Sequence, residues 1–547
     1  MFSELVAKVA EDKGLSPNRI RDMISGLRRV AKALKRPLED VPADPRWLQP
    51  RLARIAPAAL GLSPKAWTNI LSDSRAALAR YGIVERRYNR IDDLTPMWRQ
   101  LWEIVLASRD PTLRPSLGRF VYFLNRQGVA PQEVSEEHAL AYREALALNE
   151  ISKSPEVAYR AAVNAWNLAT RRIAEWPRKT LSLQSRQKII KLPVEVFASS
   201  FHKDLDRLLD RLRRPDPLDP EGPRIPRKPA TINQYRRQIL RFASELIHAG
   251  VSPIQIDSVL VLIDPAMAEL GLRHMLARHN DETGRGIAET AGLLRNISRI
   301  LNAPEETQKR MADLARRVGI RMQVGMTRKN RERLRVLQND DKLQNLLLLP
   351  DRIFGRTSGR SKGYTTALAR EDALAIAILL VCPIRVKNLA EIHLERNLHR
   401  PGDGCVFLVF EDNEVKNQRP LEFELPRDVS RMIDRHLSSR VPELCPPGTP
   451  WLFPRRDGRG PIDPNQLSSR LARRIRRETG LEVNAHLFRH LAVMVWLDAN
   501  PGGYEAARRL LGHSELSQTL NMYSGLEARS ATQEFARVIA QKKSRKR

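Results

Sequence analysis

The sequence predicts a mainly α-helical protein with one small antiparallel β-sheet, confined to its C-terminal part, and an all-α N-terminal half built of helical modules. Three observations lead there. Over the first 320 or so residues, apolar side chains recur at spacings of three and four, interrupted only by short Pro and Gly breaks. Strand character is confined to Cys405–Phe410, rich in Val and Phe, and to Leu421, Phe423 and Leu425, which alternate with Glu422 and Glu424. After residue 463 the helical period returns. At 547 residues the chain is long enough for roughly three to four domains. The breaks in pattern place them at 1–95, 96–190, 191–325 and 326–547.

Within the helical half a self-similarity recurs three times: an amphipathic helix, a short acidic or proline-containing turn, and a later helix. In the first copy Ser16-Pro17 opens a helix through Ile20, Ile24, Leu27 and Ala31. Pro37 to Val41 then turns, and Ser63-Pro64 caps a helix bearing Trp67, Ile70, Leu71 and Leu78. Ser before Pro is a helix-start signal, because the hydroxyl can accept a free N–H and proline has none to strand. The second copy runs from Thr112 through Phe120 and Leu124 to Gly128-Val129-Ala130-Pro131, with Ser154-Pro155 opening the later helix. The third runs from Thr231 through Ile239 and Phe242 to Gly250-Val251-Ser252-Pro253 and a helix over 286–301.

Between the second and third copies, 213–230 carries Pro215, Pro217, Pro220, Pro223, Pro226 and Pro229. That spacing favours extended polyproline conformation and forbids a helix. A second basic, polar stretch, 326–335, precedes the change of texture near 340. Beyond it 373–381 reads as an apolar helix, Lys416-Asn417-Gln418 as the turn between the two strand segments, and 463 onward as helix again. That last region includes the basic run Arg470, Arg473, Arg474, Arg476 and Arg477.

Charge narrows the partners. Lys and Arg number 93 against 63 Asp and Glu, a formal net charge of +30. Such an excess repels itself unless a polyanion neutralises it, so nucleic acid is the first candidate and an anionic membrane surface the second. The longest apolar run, 373–382, is far short of the roughly 20 residues needed to span a bilayer, and 1–13 mixes acids and bases without a signal-peptide core. The expectation is a cytoplasmic, nucleoid-associated protein with no membrane role. Cys382, Cys405 and Cys445 are too scattered for a disulfide framework or a cysteine-rich zinc site.

Several chemistries are excluded by spacing. The glycine-bearing stretch 355–363 lacks the Gly-Lys-Ser/Thr ending of a phosphate-binding loop, since Arg360 and Ser361 follow Gly359, so no ATP use is expected. His486 and His490 have the spacing of a helical zinc pair, yet Leu487, Phe488 and Arg489 between them offer a cation where a general base would stand. No dense carboxylate cluster marks a two-metal nuclease. No metal or cofactor is therefore expected. What remains is an ordered set of cations and one phenol: Arg385, Lys416, His486, Arg489, His513 and Tyr523.

This set, in its local contexts, resembles the tyrosine recombinase (phage integrase) family. The most specific part is His486-Leu-Phe-Arg489-His490, an apolar helix, Leu510-Leu511-Gly512-His513, and then Leu520-Asn521-Met522-Tyr523. The motif-bearing likeness spans about 340–530, and a looser one to the family's helical core-binding, DNA-clamping domain spans about 190–320. The resemblance implies a catalytic domain over 326–547 and a DNA-clamping domain over 191–325. It implies a site-specific recombinase, integrase or transposase that cuts and rejoins duplex DNA through a 3′-phosphotyrosine during integration or excision of a mobile element.

The resemblance also assigns roles. Tyr523 is the nucleophile; Arg385 and Arg489 bind the non-bridging phosphate oxygens; Lys416 protonates the leaving 5′ oxygen. His486 accepts the phenol proton or hydrogen-bonds to it, and His513 binds a phosphate oxygen. The implied partners are double-stranded DNA, further copies of the chain as a dimer on one site and a tetramer at synapsis, and partner recombinases or accessory DNA-bending proteins. A C-terminal stripe of Phe535, Val538 and Ile539, followed by the basic run 542–547, is expected to dock on a neighbouring protomer. Two departures stand out: Asn388 occupies a position that is often acidic in the family, with Glu391 one turn on, and Tyr523 lies one residue further from His513 than is usual. Two other readings remain open at this point: a DNA-binding accessory or regulatory subunit lacking strand exchange, and a type IB-like topoisomerase.

Overall fold

The computed structural model describes the whole chain except residues 87–89, 109, 111, 184–189, 217, 219–224, 321–324, 358–362, 524–527 and 545–547, and the side chains of 518, 522, 528–534 and 544. Pro217, Pro220 and Pro223 of the proline-rich stretch, Gly359 to Ser361, and the last three basic residues thus lie outside the described residues. The fold is mainly helical with a single three-stranded antiparallel sheet in the C-terminal part, as the periodicities predict. Among the described residues no helix is long and apolar enough to cross a membrane. The chain divides into two compact units, Met1–Leu183 with Val324–Arg547, and Gln184–Gln323.

In the first unit the Ser-Pro signals act as read. Ser16 Oγ accepts the Arg19 N–H (3.4 Å), Ser63 Oγ that of Ala66 (3.1 Å) and Ser154 Oγ that of Val157 (3.4 Å), opening the helices Pro17–Ala33, Pro64–Arg80 and Pro155–Arg172. The first two of these helices bury Leu27, Val30, Trp67 and Leu78 in a core shared with Phe2 and Leu48. A second core is centred on Trp98, Trp166 and Trp176, whose rings meet edge-on at 5.1–6.4 Å, the arrangement the aromatic quadrupole favours. In the other unit, Phe201, Leu209, Phe242 and Leu294 form a core among the helices Ser199–Arg213, Pro229–His248 and Arg285–Ile300. In each of the three sequence copies a 3-10 helix follows the first helix, at Leu38–Asp40, Pro131–Glu133 and Pro253–Gln255.

Two boundaries differ from the sequence reading. The proline-rich stretch was expected to exclude helix through residue 230, but a helix starts at Pro229, because proline at the first helical position loses no hydrogen bond. The basic stretch 326–335 contributes most of a helix, Arg328–Leu337, whose Leu334 and Leu337 reach the C-terminal core while its cations stay outside.

That C-terminal core is built on the helix Tyr364–Val381, buried along nearly its whole length, and on the inner face of the sheet. The strands are β1 (Leu398–Gly402), β2 (Cys405–Phe410) and β3 (Leu421–Glu424), paired in that order. Val406, Leu408 and Phe410 point inward from β2, and Phe410 lies opposite Leu421. Strand β1 escaped the sequence reading because only Leu398 of its five residues is buried, and Pro401 and Gly402 are tolerated at a sheet edge.

The first N-terminal module touches this part within the same unit. The turn Pro57–Leu60 packs on the helix Pro464–Thr479, and Arg476 Nη2 donates to the Arg54 carbonyl at 2.7 Å. Gly480 ends that helix at φ +77°, and a Cβ there would lie 2.6 Å from Ala59 Cβ and 2.9 Å from the Ala59 backbone. Gly480→Ala meets both left-handed strain, about 1–2 kcal/mol, and a backbone that must retreat. The expected result is a fall in melting temperature of roughly 1–2 °C or more by calorimetry. An unchanged melt would mean that this contact does not form.

Candidate active site

Pro383 and Ile384 end the buried helix and deliver Arg385 as the N-cap of the short helix Val386–Ala390. Arg489 lies in the first turn of Leu487–Ala499, with its side chain buried. It donates Nη1 to the Pro383 carbonyl (2.6 Å) and Nη2 to the Leu511 carbonyl (2.8 Å), tying the segment before Arg385 to the one before His513. Two of its five N–H donors are thus positioned by the backbone.

Gly512 closes the helix Tyr504–Leu511 at φ +61°, where a Cβ would meet Leu421 Cδ2 at 2.7 Å, so the tight turn before His513 requires glycine. The Gly512 carbonyl accepts from Asn417 Nδ2 (2.8 Å), and Asn417 Oδ1 accepts from Arg385 Nη2 (3.3 Å). One amide in the β2–β3 turn therefore joins Arg385 to the Gly-His loop. Lys416, its neighbour, is exposed in the same turn. His513 Nδ1 lies 3.0 Å from the buried Thr519 hydroxyl, and its carbonyl accepts from Arg508 at 2.8 Å.

Tyr523 ends the helix Leu516–Tyr523 and is only 2% exposed. Its hydroxyl lies 2.9 Å from His490 Nδ1, and the ring of His490 in turn meets that of His486 edge-on at 4.9 Å. With a neutral imidazole the phenol donates and Nδ1 accepts.

Burial dominates the electrostatics. It pushes the Tyr523 phenol up to about 12, only partly offset by Arg489. It pushes His490 down to about 4, helped by His486 and Arg489, and His513 down to about 4, helped by Arg489 and Arg385. His486 is lowered for the same reason, with Arg489 and Arg385 adding to it. Arg489 falls to about 10 through burial and the charge of Arg385, and Arg385 is lowered by burial. Among the described residues neither guanidinium has a carboxylate ion-pair partner. Two desolvated cations thus stand close enough to oppose each other, beside a buried neutral phenol and neutral imidazoles. An anion bound between them would relieve that repulsion.

The folded pKa of His490 lies below its ordinary value of 6.5, so the unfolded chain binds the proton first. The associated stability is fully present above pH 6.5 and is lost as pH falls toward about 4. A shift of this size corresponds to about 3 kcal/mol. Melting temperature is expected to drop between pH 7 and 4.5, and less steeply in His490→Asn; equal slopes in the two proteins would remove His490 as a source.

The structure brings Arg385, Arg489, His486, His513 and Tyr523 into one neighbourhood and sets Lys416 in the adjoining turn. Sequence reasoning missed two members. His490 was read as half of a rejected metal pair and as the end of the His486-to-His490 motif, without a role of its own, although its place directly after Arg489 was the available signal; it, and not His486, makes the hydrogen bond to the phenol. Asn417 carried no signal beyond its turn. Support for Arg385 comes from Asn417, whereas Asn388 donates to the Glu414 carbonyl and Glu391 pairs with Lys387 at 3.5 Å.

Residues 361–529 match the model of the phage integrase family. Among solved structures, the chain is similar to the XerH site-specific recombinase bound to difH substrate in a pre-cleavage complex: 12% identity, TM-score 0.33, covering 62% of this chain and 94% of that one. Similar values hold for XerH with a palindromic difH substrate in a post-cleavage complex: 13%, TM-score 0.35, covering 60% and 95%. For the XerA recombinase they are 12%, TM-score 0.26, covering 61% and 98%. No curated protein sequence matches.

Proposed function

Starting from a chain whose residues 361–529 belong to the phage integrase family of tyrosine recombinases, we propose that it is a site-specific DNA recombinase working through a 3′-phosphotyrosine, in the integration or excision of a mobile element. The observation that carries this reading is the pair of desolvated guanidiniums, Arg385 and Arg489, without a carboxylate partner among the described residues and beside the buried phenol of Tyr523. A phosphodiester supplies the missing negative charge, and the charge grows on its non-bridging oxygens as the phenol attacks.

In the proposed step the Tyr523 oxygen forms a bond to phosphorus as the bond from phosphorus to the 5′ oxygen breaks. The phenol proton passes to His490 Nδ1, and Lys416 delivers a proton to the departing 5′ oxygen. His513 holds a phosphate oxygen, and His486 supports His490 from behind. Attack by a 5′ hydroxyl from another duplex reverses every transfer and rejoins the strands, so no external energy source enters. Residues 191–325 act as the DNA clamp, and 1–95 and 96–190 extend the contact along DNA. Synapsis uses a tetramer.

Covalent trapping tests the reading. Nicked suicide duplexes from the ends of the element carrying this gene are incubated with the protein, and an SDS-resistant protein–DNA adduct is sought. An adduct establishes the phosphotyrosine enzyme. Tight, salt-sensitive binding without one favours an accessory subunit, and relaxation of supercoils without a partner site favours the topoisomerase-like alternative.

The C-terminal helix Ala528–Ser544 leaves Phe535 66% exposed, with Val538 and Ile539 open beside it. It docks on a neighbouring protomer in this proposal. Deletion after Arg529 is expected to leave single-site binding intact and to lower recombination at least ~10-fold, the effect of losing about 1.4 kcal/mol of assembly free energy. Undiminished recombination would remove the docking role.

A further inference from the structure

We infer that Glu371, His436 and Cys445 form a zinc-binding site in the core of the C-terminal part, sharing no residue with the proposed active site. These three come from separate segments: the helix Tyr364–Val381, the helix Arg427–Ser438 and the stretch 439–450 that follows it. All are buried, at 1%, 3% and 4% exposure, and their carboxylate, imidazole and thiol ligand atoms lie within 4.8 Å of one another.

The second observation is what these groups lack. Among the described residues, Glu371 Oε2 and His436 Nε2 are buried with no hydrogen-bond partner, a condition native cores avoid unless an ion or water is bound there. The second Glu371 oxygen is held by a neighbour, as that of a metal-ligating carboxylate usually is. The Glu371 Oε1 oxygen accepts from Arg470. In the Nδ1–H tautomer of a neutral imidazole, the unpartnered Nε2 carries a lone pair that can ligate a metal.

The donor set selects the metal. A thiolate with an imidazole and a carboxylate suits zinc, whereas calcium and magnesium take oxygen cages. Zinc bonds of about 2.0–2.3 Å require the three groups to close in by about 1 Å, within the reach of side-chain rotation. The nearby guanidiniums weigh against a bare cation. Arg440, however, is turned to the Trp451 and Leu452 carbonyls at 2.8 and 2.9 Å, and Arg470 to Glu371 and Asp372. A zinc ion neutralised by one thiolate and one carboxylate presents no net charge to them. A buried water is the competing occupant. The site was invisible in sequence because Glu371 lies far along the chain from the His436–Cys445 pair, and that pair alone has no metal-motif spacing.

The test uses the full chain without a polyhistidine tag, purified without chelator. The expected metal content is about one zinc per chain by mass spectrometry, falling below about a third in both Cys445→Ser and His436→Gln. Cobalt substitution is expected to give a thiolate charge-transfer band in wild type that Cys445→Ser lacks. Should the variants misfold, the wild type decides: a strong chelator lowers the melting temperature and added zinc restores it. Less than about a tenth of a zinc per chain, with no change in melting on adding zinc, would overturn the site in favour of water. So would equal zinc in wild type and both variants.

Discussion

Tyr523→Phe is expected to abolish the covalent protein–DNA adduct, lowering strand cleavage by at least ~10⁴-fold, while DNA affinity stays within about two-fold. The substitution removes one oxygen. It leaves the ring in its pocket and the guanidiniums of Arg385 and Arg489 untouched, so phosphate binding survives. His490 Nδ1, which now lies 2.9 Å from the hydroxyl, loses its donor, and that costs about 1–2 kcal/mol. A melting temperature lower by a few degrees therefore accompanies the loss of chemistry without explaining it. His490→Ala separates nucleophile from acceptor. With the phenol held at about 12 and no base beside it, cleavage falls ~10²–10⁴-fold and regains rate as pH rises. An adduct that survives Tyr523→Phe would locate the nucleophile elsewhere. A His490→Ala enzyme of wild-type rate and pH profile would return the proton to His486.

Arg489→Lys carries the second large effect, on both folding and chemistry. The Arg489 side chain reaches two carbonyls from separate nitrogens, Pro383 from Nη1 and Leu511 from Nη2, a span that the single nitrogen of lysine does not reproduce. At least one buried carbonyl is orphaned, at about 1–3 kcal/mol, and the anchor between the Arg385 segment and the Gly-His loop is cut. The planar fork for a phosphate is lost as well, and removing one such electrostatic donor lowers rates ~10²–10³-fold. Expected together are a clear fall in melting temperature and a loss of cleavage that added protein does not restore. Wild-type melting with only lost activity would confine Arg489 to the ligand. Wild-type activity with reduced stability would remove it from the site.

What the sequence disclosed follows how local each determinant is. The Ser-Pro helix starts were legible because capping acts over three residues, and β2 was legible because its alternation is written in consecutive positions. β1 was not, since one buried leucine among polar residues has no period. The site shows the same division. The order of cations ending in a tyrosine marked the region, but the bonds that assemble it run from Asn417 to Gly512, 95 residues apart, from Arg489 to Pro383, 106 apart, and from His490 to Tyr523, 33 apart. A helical period carries no information about such partners. Asn417 and His490 became visible only when the turn and the last helix were brought to the same place. The helix at Pro229 shows the converse: a proline cluster reads as a helix barrier, yet the one proline placed at a helix start is its first residue.

The contact of Arg476 with Arg54 spans 422 residues of chain, with an entire separate unit encoded between its halves. A ribosome emits residues 1–183 long before the surface that receives them. At about 5–20 residues per second, the Pro57–Leu60 turn waits tens of seconds, uncovered, for Gly480 to emerge. Its own two cores let that first segment fold in the meantime. Completion of the discontinuous unit is thereby a late event in biosynthesis, and a chain truncated before residue 480 leaves the ribosome with the Pro57–Leu60 surface unsealed.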